Sequence, residues 1–314
     1  MFRLHTLIIM IVLIITMSAT ASFALQKNGF DLSNSIIDSR LILSGGPPKD
    51  GIPALDEPRF LDSSDADFLR DDDRVLGVAV GSTAKAYPIR ILNWHEVVND
   101  RIADTPFIVS FCPLCGTGAV FSATVGGDIL DFGVSGLLYN SDVLLYDRQT
   151  QSLWSQIRGQ SISGSYVGTE LVQLPTQHTT WKRWREQYPE TTVLSTDTGY
   201  VRDYSRNPYG DYISSRQLYF PVEHEAENDL HPKETVLGIT IGESRKAYPF
   251  TVLQTQGKER FQDNLNGQSF TVIWDEEGHS AQAIDSNGQP LEQIQGFWFA
   301  WYAFHPTTQV YTLP

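Results

Sequence analysis

The segment Val75–Leu92, VLGVAVGSTAKAYPIRIL, returns as Val236–Leu253, VLGITIGESRKAYPFTVL, at an offset of 161 residues. VLG, KAYP and the closing Leu coincide. A weaker likeness continues, with Pro106–Phe121, PFIVSFCPLCGTGAVF, against Ser269–Ile284, SFTVIWDEEGHSAQAI. A turn follows in both, Val125-Gly126-Gly127-Asp128 in one and Ser286-Asn287-Gly288-Gln289 in the other. Self-similarity of this length means one supersecondary unit used twice, although two copies do not make a solenoid. In each copy, alternation along the first stretch, a polar break and a second apolar stretch predict a hairpin, Val75–Val80 with Lys85–Ile89 in the first. Pro88 suits a first helical turn, so a short helix is expected through Ile89–Val98, with His95 and Asn99 four apart on one face. A turn at Asp100–Asp104 leads to a strand, Phe107–Phe111. A second hairpin, Ala119–Val125 and Ile129–Val134, turns at Gly126-Gly127.

The expected fold is mainly β (a β-rich α+β protein), two pseudo-repeated β units with a mixed insert between them. Its parts are a connector over 25–74, the first unit over 75–152, the insert over 153–231 and a second, degenerate unit over 232–314. In the insert, Trp181, Trp184 and Tyr188 mark a helical face stopped by Pro189, a stripe that reads as core. The stretch TDTGYVRDYSRNPYGDY that follows is a self-packed loop or a lid over a site. Both readings stay open; Arg202 and Tyr204 are its pocket candidates.

The first 24 residues read as a secretory signal. Arg3 gives a positive start, Leu7 to Met17 is an apolar run, and small residues fit cleavage after Ala21 or Ala24. A spanning helix needs about 20 apolar residues, which leaves an uncleaved anchor as the alternative. The protein is expected to be exported, periplasmic or extracellular, with no membrane span after cleavage. With 23 basic and 37 acidic side chains the formal charge is −14, which repels polyanions, so nucleic acid is not an expected partner. The sequence points to no particular protein partner.

The chain has two cysteines, both in Phe111–Gly118, FCPLCGTG. Three readings compete. A structural disulfide closes a loop so small that it contributes only about 2 kcal/mol. The second copy, moreover, carries Asp275 and Gly278 at the matching places and keeps the surrounding pattern. A redox dithiol, the basis of an extracytoplasmic thiol-disulfide oxidoreductase, wants a helix after the first Cys; Gly116-Thr117-Gly118 opposes one. A metal site fits best, because Pro and Gly shape a turn that aims both sulfurs at one ion. No second Cys pair exists, so a third ligand must come from elsewhere. His95, in Trp94-His95-Glu96, is the choice, since the second copy lacks both the cysteines and this histidine. Glu96 is a candidate to orient His95 or to act as a base. Two thiolates with an imidazole suit Cu(I) or Zn(II). His279 lies one place beyond the match to Cys115, His305 ends the last strand, and His178, His224 and His231 read as loop residues. No reaction is specified, so whether the protein is an enzyme is left undecided.

KAYPIRILNWHEVVND, FCPLCGTGAVF, FGVSGLLYNSDVLLYDRQTQSLWSQ, TGYVRDYSRNPY and VLGITIGESRKAYP, in that order, resemble the family known as domain of unknown function 3179. The resemblance covers about Gly46 to Leu313 and implies an exported or envelope-facing prokaryotic protein, with no reaction attached. A Met often precedes the Tyr of the YDRQT element in that family. Here the place holds Leu145, which weighs against a strict copper reading. Within that element Asn140-Ser141-Asp142 is a polar break between apolar runs. It is either a turn or a set of polar groups facing the cysteines, with Asn140 and Asp142 as pocket candidates. A non-catalytic β scaffold that binds a ligand through its Tyr/Arg loop, its cysteines bridged, is the remaining alternative.

Overall fold

A computed structural model describes residues 25–226 and 230–313. The expected leader, residues 1–24, lies outside them. The fold is mainly β. Its strands form five small sheets in a five-bladed propeller arrangement, beside two minimal hairpins.

The first sheet runs, edge to edge, Thr176–Thr180, Arg74–Val80, Thr83–Pro88, Thr192–Leu194, Phe60–Asp62. The second is the meander Val97–Ile102, Thr105–Cys112, Thr117–Ser122. The third is ordered Gln160–Ser163, Leu153–Ser155, Asp142–Asp147, Phe132–Tyr139, Ile42–Ser44. The fourth is Glu292–Phe297, Thr235–Ile241, Ser244–Pro249, Gln309–Val310, and the fifth is Arg260–Leu265, Gln268–Asp275, Ser280–Ile284. The molecule is therefore not two units joined by an insert. The expected insert is shared out: Leu153–Ser155 and Gln160–Ser163 extend the third sheet, while Thr176–Thr180 and Thr192–Leu194 flank the first. The expected connector likewise supplies Ile42–Ser44 and Phe60–Asp62 as edge strands.

Local likeness between the KAYP segments is close. Gly77 pairs Ala86 in the first sheet and Gly238 pairs Ala247 in the fourth. Each hairpin leads through a proline into a seven-residue helix, α1 (Ile89–His95) and α3 (Phe250–Gln256), which sit on either side of α2 (Trp181–Gln187) in chain order. The last helix is α4 (Trp298–Phe304). α2 and α4 match as well. A Cβ on Gly77 would fall inside the Trp184 ring, and one on Gly238 inside the Trp301 ring. Each indole donates to a threonine seven residues on, Thr191 or Thr308, at 2.9 Å. Glycine is required where a large ring lies flat on a strand. The Trp181–Trp184 stripe is thus core, as expected.

α1 is shorter than expected. It ends at His95, because Glu96 turns left-handed (φ 58°) and its N–H closes on Leu92 O. Asn99 consequently sits in a strand, not on the helix with His95. Gly126-Gly127 do form a turn, both with positive φ, but it joins only Thr124–Val125 and Asp128–Ile129. His178 lies in a strand and His305 caps α4, against the loop and strand-end positions expected. Among the described residues no helix is long and apolar enough to cross a membrane.

Candidate functional site

Cys112 is the last residue of its strand and pairs Thr117, which leaves Pro113–Gly116 as a four-residue hairpin loop. Gly116 has φ +61°, and a Cβ there would run into the Phe297 ring. Only glycine takes that conformation and that space together. The Cys115 carbonyl then accepts from Phe297 N at 2.7 Å, which pins the second thiol. Both cysteines are buried with free thiols, so the disulfide alternative is not what the structure shows. The fifth sheet closes the matching turn differently. Asp275 pairs Ser280 as Cys112 pairs Thr117, and its Oδ1 accepts from Gly278 N at 3.0 Å.

A second hairpin tip meets the cysteine loop. Asn140 and Ser141, at φ 52° and 63°, form the two-residue turn between Phe132–Tyr139 and Asp142–Asp147. Positive φ at both positions is the geometry that matches strand twist, and serine adopts it with some strain. The tip is buried and its polar groups are met. Asn140 Oδ1 accepts from Glu223 N at 2.8 Å, Ser141 Oγ donates to Phe220 O at 3.0 Å, and Tyr139 donates to Glu223 at 2.5 Å. Cys112 Sγ donates to Ser141 O at 3.7 Å.

Asp142 follows the tip and is fully buried. One carboxylate oxygen, Oδ2, accepts from Ile157 N at 3.0 Å and from Ser155 Oγ at 3.4 Å. The other, Oδ1, is buried without a hydrogen-bond partner. The ligand atoms of Cys112, Cys115 and Asp142 all lie within 4.8 Å of one another. Burial pushes the Asp142 carboxyl up to about 8. It pushes the Cys115 thiol well above its ordinary value, with help from Cys112 beside it and from Asp142 and Glu96 nearby. A buried carboxylate oxygen left unpaired is costly, and a cation among these groups removes the cost.

His95 is not in this group. Its ring is buried, with Nδ1 2.8 Å from Pro53 O and Nε2 2.7 Å from Tyr204 Oη. A donating Nδ1–H leaves Nε2 to accept the tyrosine proton, which describes a neutral imidazole. Burial lowers its pKa in the same sense. Asp142 thus stands where His95 was expected. Glu96 is buried beside the site, accepts from Tyr209 Oη at 3.0 Å, and is pushed up to about 7 by burial. Asn99 clamps the second sheet to the third. Its Nδ2 donates to Phe132 O at 2.8 Å and its Oδ1 accepts from Phe132 N at 2.9 Å. Arg202 lies over the Trp94 ring at 5.9 Å, on the outer side of α1.

The Tyr/Arg loop covers this region. Tyr204 reaches His95, Tyr209 reaches Glu96, and Tyr212 packs in the same core cluster as both cysteines. The sequence marks Tyr204 as a pocket candidate but not Tyr209 or Tyr212, whose only signal is the clustering of tyrosines in that loop. A cleft of about 760 Å³ lies elsewhere, lined by Gln173, Gln177, His178 and Gln282, with none of the three grouped donors on its walls.

The fold and site define a mainly β protein of five small sheets carrying a buried group of two thiols and one carboxyl. Over residues 49–308 the chain matches the family described as Protein of unknown function (DUF3179), and it belongs to that family. No curated protein and no solved structure matches it.

Proposed function

We propose that the protein is an exported metal-binding protein, holding one Zn(II) ion with Cys112, Cys115 and Asp142. The observation that carries this reading is Asp142 Oδ1, a buried carboxylate oxygen with no partner, grouped with two free thiols. Zinc takes sulfur at about 2.3 Å and carboxylate oxygen at about 2.0–2.2 Å, and donor separations of such a site fall within the observed limit. A carboxylate in place of the expected imidazole favours Zn(II) over Cu(I), whose preference is for soft ligands. Thiol-disulfide exchange fits less well. The pair spans a β-hairpin loop instead of opening a helix, and both sulfurs are buried, whereas exchange needs an accessible, activated thiolate. Export rests on the leader-like residues 1–24. The likeness of the first and second sheets to the fourth and fifth supports descent from one duplicated segment, with the two cysteines in the first copy alone and Asp142 on the third sheet, outside the repeat.

Elemental analysis and native mass spectrometry of protein equilibrated with Zn(II) test the reading. One zinc per chain is expected, lost in Cys112→Ser with Cys115→Ser and weakened in Asp142→Asn. Thiols that resist alkylation until a chelator is added are expected too. Zinc-free wild type, indistinguishable from the double variant after titration, removes the proposal.

A further inference from the structure

We infer that Tyr212 supplies the fourth donor to that ion, its phenol oxygen completing a closed S₂O₂ site. The inference rests on the zinc reading and specifies it. Three donors leave one position of a tetrahedral zinc to fill. Tyr212 is 1% exposed and shares its core cluster with Cys112 and Cys115. Its Oη is buried and has no hydrogen-bond partner. A buried tyrosine ordinarily finds a partner for its hydroxyl. Asp142 Oδ1 and Tyr212 Oη are both orphaned oxygens; Asp142 is grouped with the two thiols, and Tyr212 packs in their core cluster. Burial first, and then Cys115 and Cys112 nearby, raise the Tyr212 phenol above its ordinary value. Tyr209, the other loop tyrosine near the site, is already engaged, since its hydroxyl donates to Glu96.

The ring is held from outside as a positioned ligand requires. The Tyr219 ring centroid lies 4.4 Å away, and Lys233 Nζ sits 4.0 Å over the ring. That ammonium is itself fixed by Ser215 O and Gln217 O, both at 2.5 Å. The backbone N–H of Tyr212 donates to Tyr209 O at 3.1 Å. A zinc with four protein donors has no position for a reacting water, which makes it a holding site and not a hydrolytic one. It also ties the Tyr/Arg loop to the two hairpin tips beneath it, so loading the ion and closing the loop become one event.

Cobalt(II) substitution of the full-length protein tests this. Wild type is expected to show thiolate-to-cobalt charge-transfer bands and the intense visible bands of a four-coordinate ion, unchanged by azide. Tyr212→Phe keeps the ring packing and is expected to keep the thiolate bands. Its visible bands are expected to shift as water takes the vacated position, and to shift again with azide. Tyr188→Phe, packed on the separate core cluster around Trp181 and Trp184, is expected to behave as wild type. If Tyr212→Phe gives the wild-type spectrum and ignores azide, Tyr212 is not a ligand, while the three-donor reading stands. If wild-type protein binds no cobalt or zinc, both readings fall together.

Discussion

Cys115 owes its position to the glycine that follows it. Gly116 is left-handed and lies against Phe297, so Gly116→Ala combines backbone strain with overpacking, about 2–4 kcal/mol in total. Urea unfolding is expected to show that loss, and zinc titration a weaker site, because the same turn aims both sulfurs. Unaltered stability and affinity would mean the loop adapts freely. The two thiols were legible because they are three positions apart in the chain. Asp142 was legible only as a polar break in an apolar run, since nothing local says that the Asn140-Ser141 tip folds onto a loop about thirty residues earlier. His95 misled for the converse reason. It is near in sequence and absent from the second copy, but the left-handed Glu96 ends α1 and leaves the imidazole between Pro53 O and Tyr204 Oη.

Helices α2 and α4 do the same work on two sheets, with one chemical difference. Tyr188 caps α2 with its ring 4.3 Å from Trp184, and His305 caps α4 with its ring 4.1 Å from Trp301. Burial, reinforced by Arg245 and Arg158, lowers His305 to about 4 from an ordinary 6.5. The folded state therefore keeps it neutral while the unfolded chain protonates it. Its contribution is fully present above pH 6.5, is lost as pH falls, and is gone by about pH 4. It amounts to about 3 kcal/mol. His305→Tyr, which copies the α2 arrangement, is expected to flatten the stability profile between pH 6.5 and 4, read as melting temperature against pH. An unchanged profile would place the acid sensitivity elsewhere. The KAYP hairpins were legible at their constant offset of 161, whereas Trp184 and Trp301 are 117 apart. Four strands of the third sheet, inserted after Ser122 in the first half alone, shift the register and hide the second pair of matching elements.

At the scale of the molecule, the chain closes its sheets with segments distant in sequence, and the site depends on one such closure. Ile42–Ser44 pairs Leu137–Tyr139, the residues just before the Asn140-Ser141 tip. Phe30, Leu32 and Ile42 pack with Leu137, Tyr139 and Leu144, and Asn28 Nδ2 donates to Ser135 O at 2.6 Å. Composition gave no hint of this, because a short edge strand set among Gly, Pro and Asp reads as a linker. Chains beginning at Lys49 are therefore expected to lose order at the tip and bind zinc about tenfold more weakly or worse, equivalent to about 1.4 kcal/mol. Faster amide exchange at Asn140–Asp142 should accompany the loss. Removal of Gln309–Val310 takes an edge strand from the fourth sheet instead. It is expected to lower the melting temperature while leaving zinc affinity and exchange at the tip unchanged. Titration calorimetry and hydrogen exchange on both truncations separate the two effects. Equal loss of zinc affinity from either end would mean that the five sheets unfold as one unit and that the N-terminal arm has no particular hold on the site.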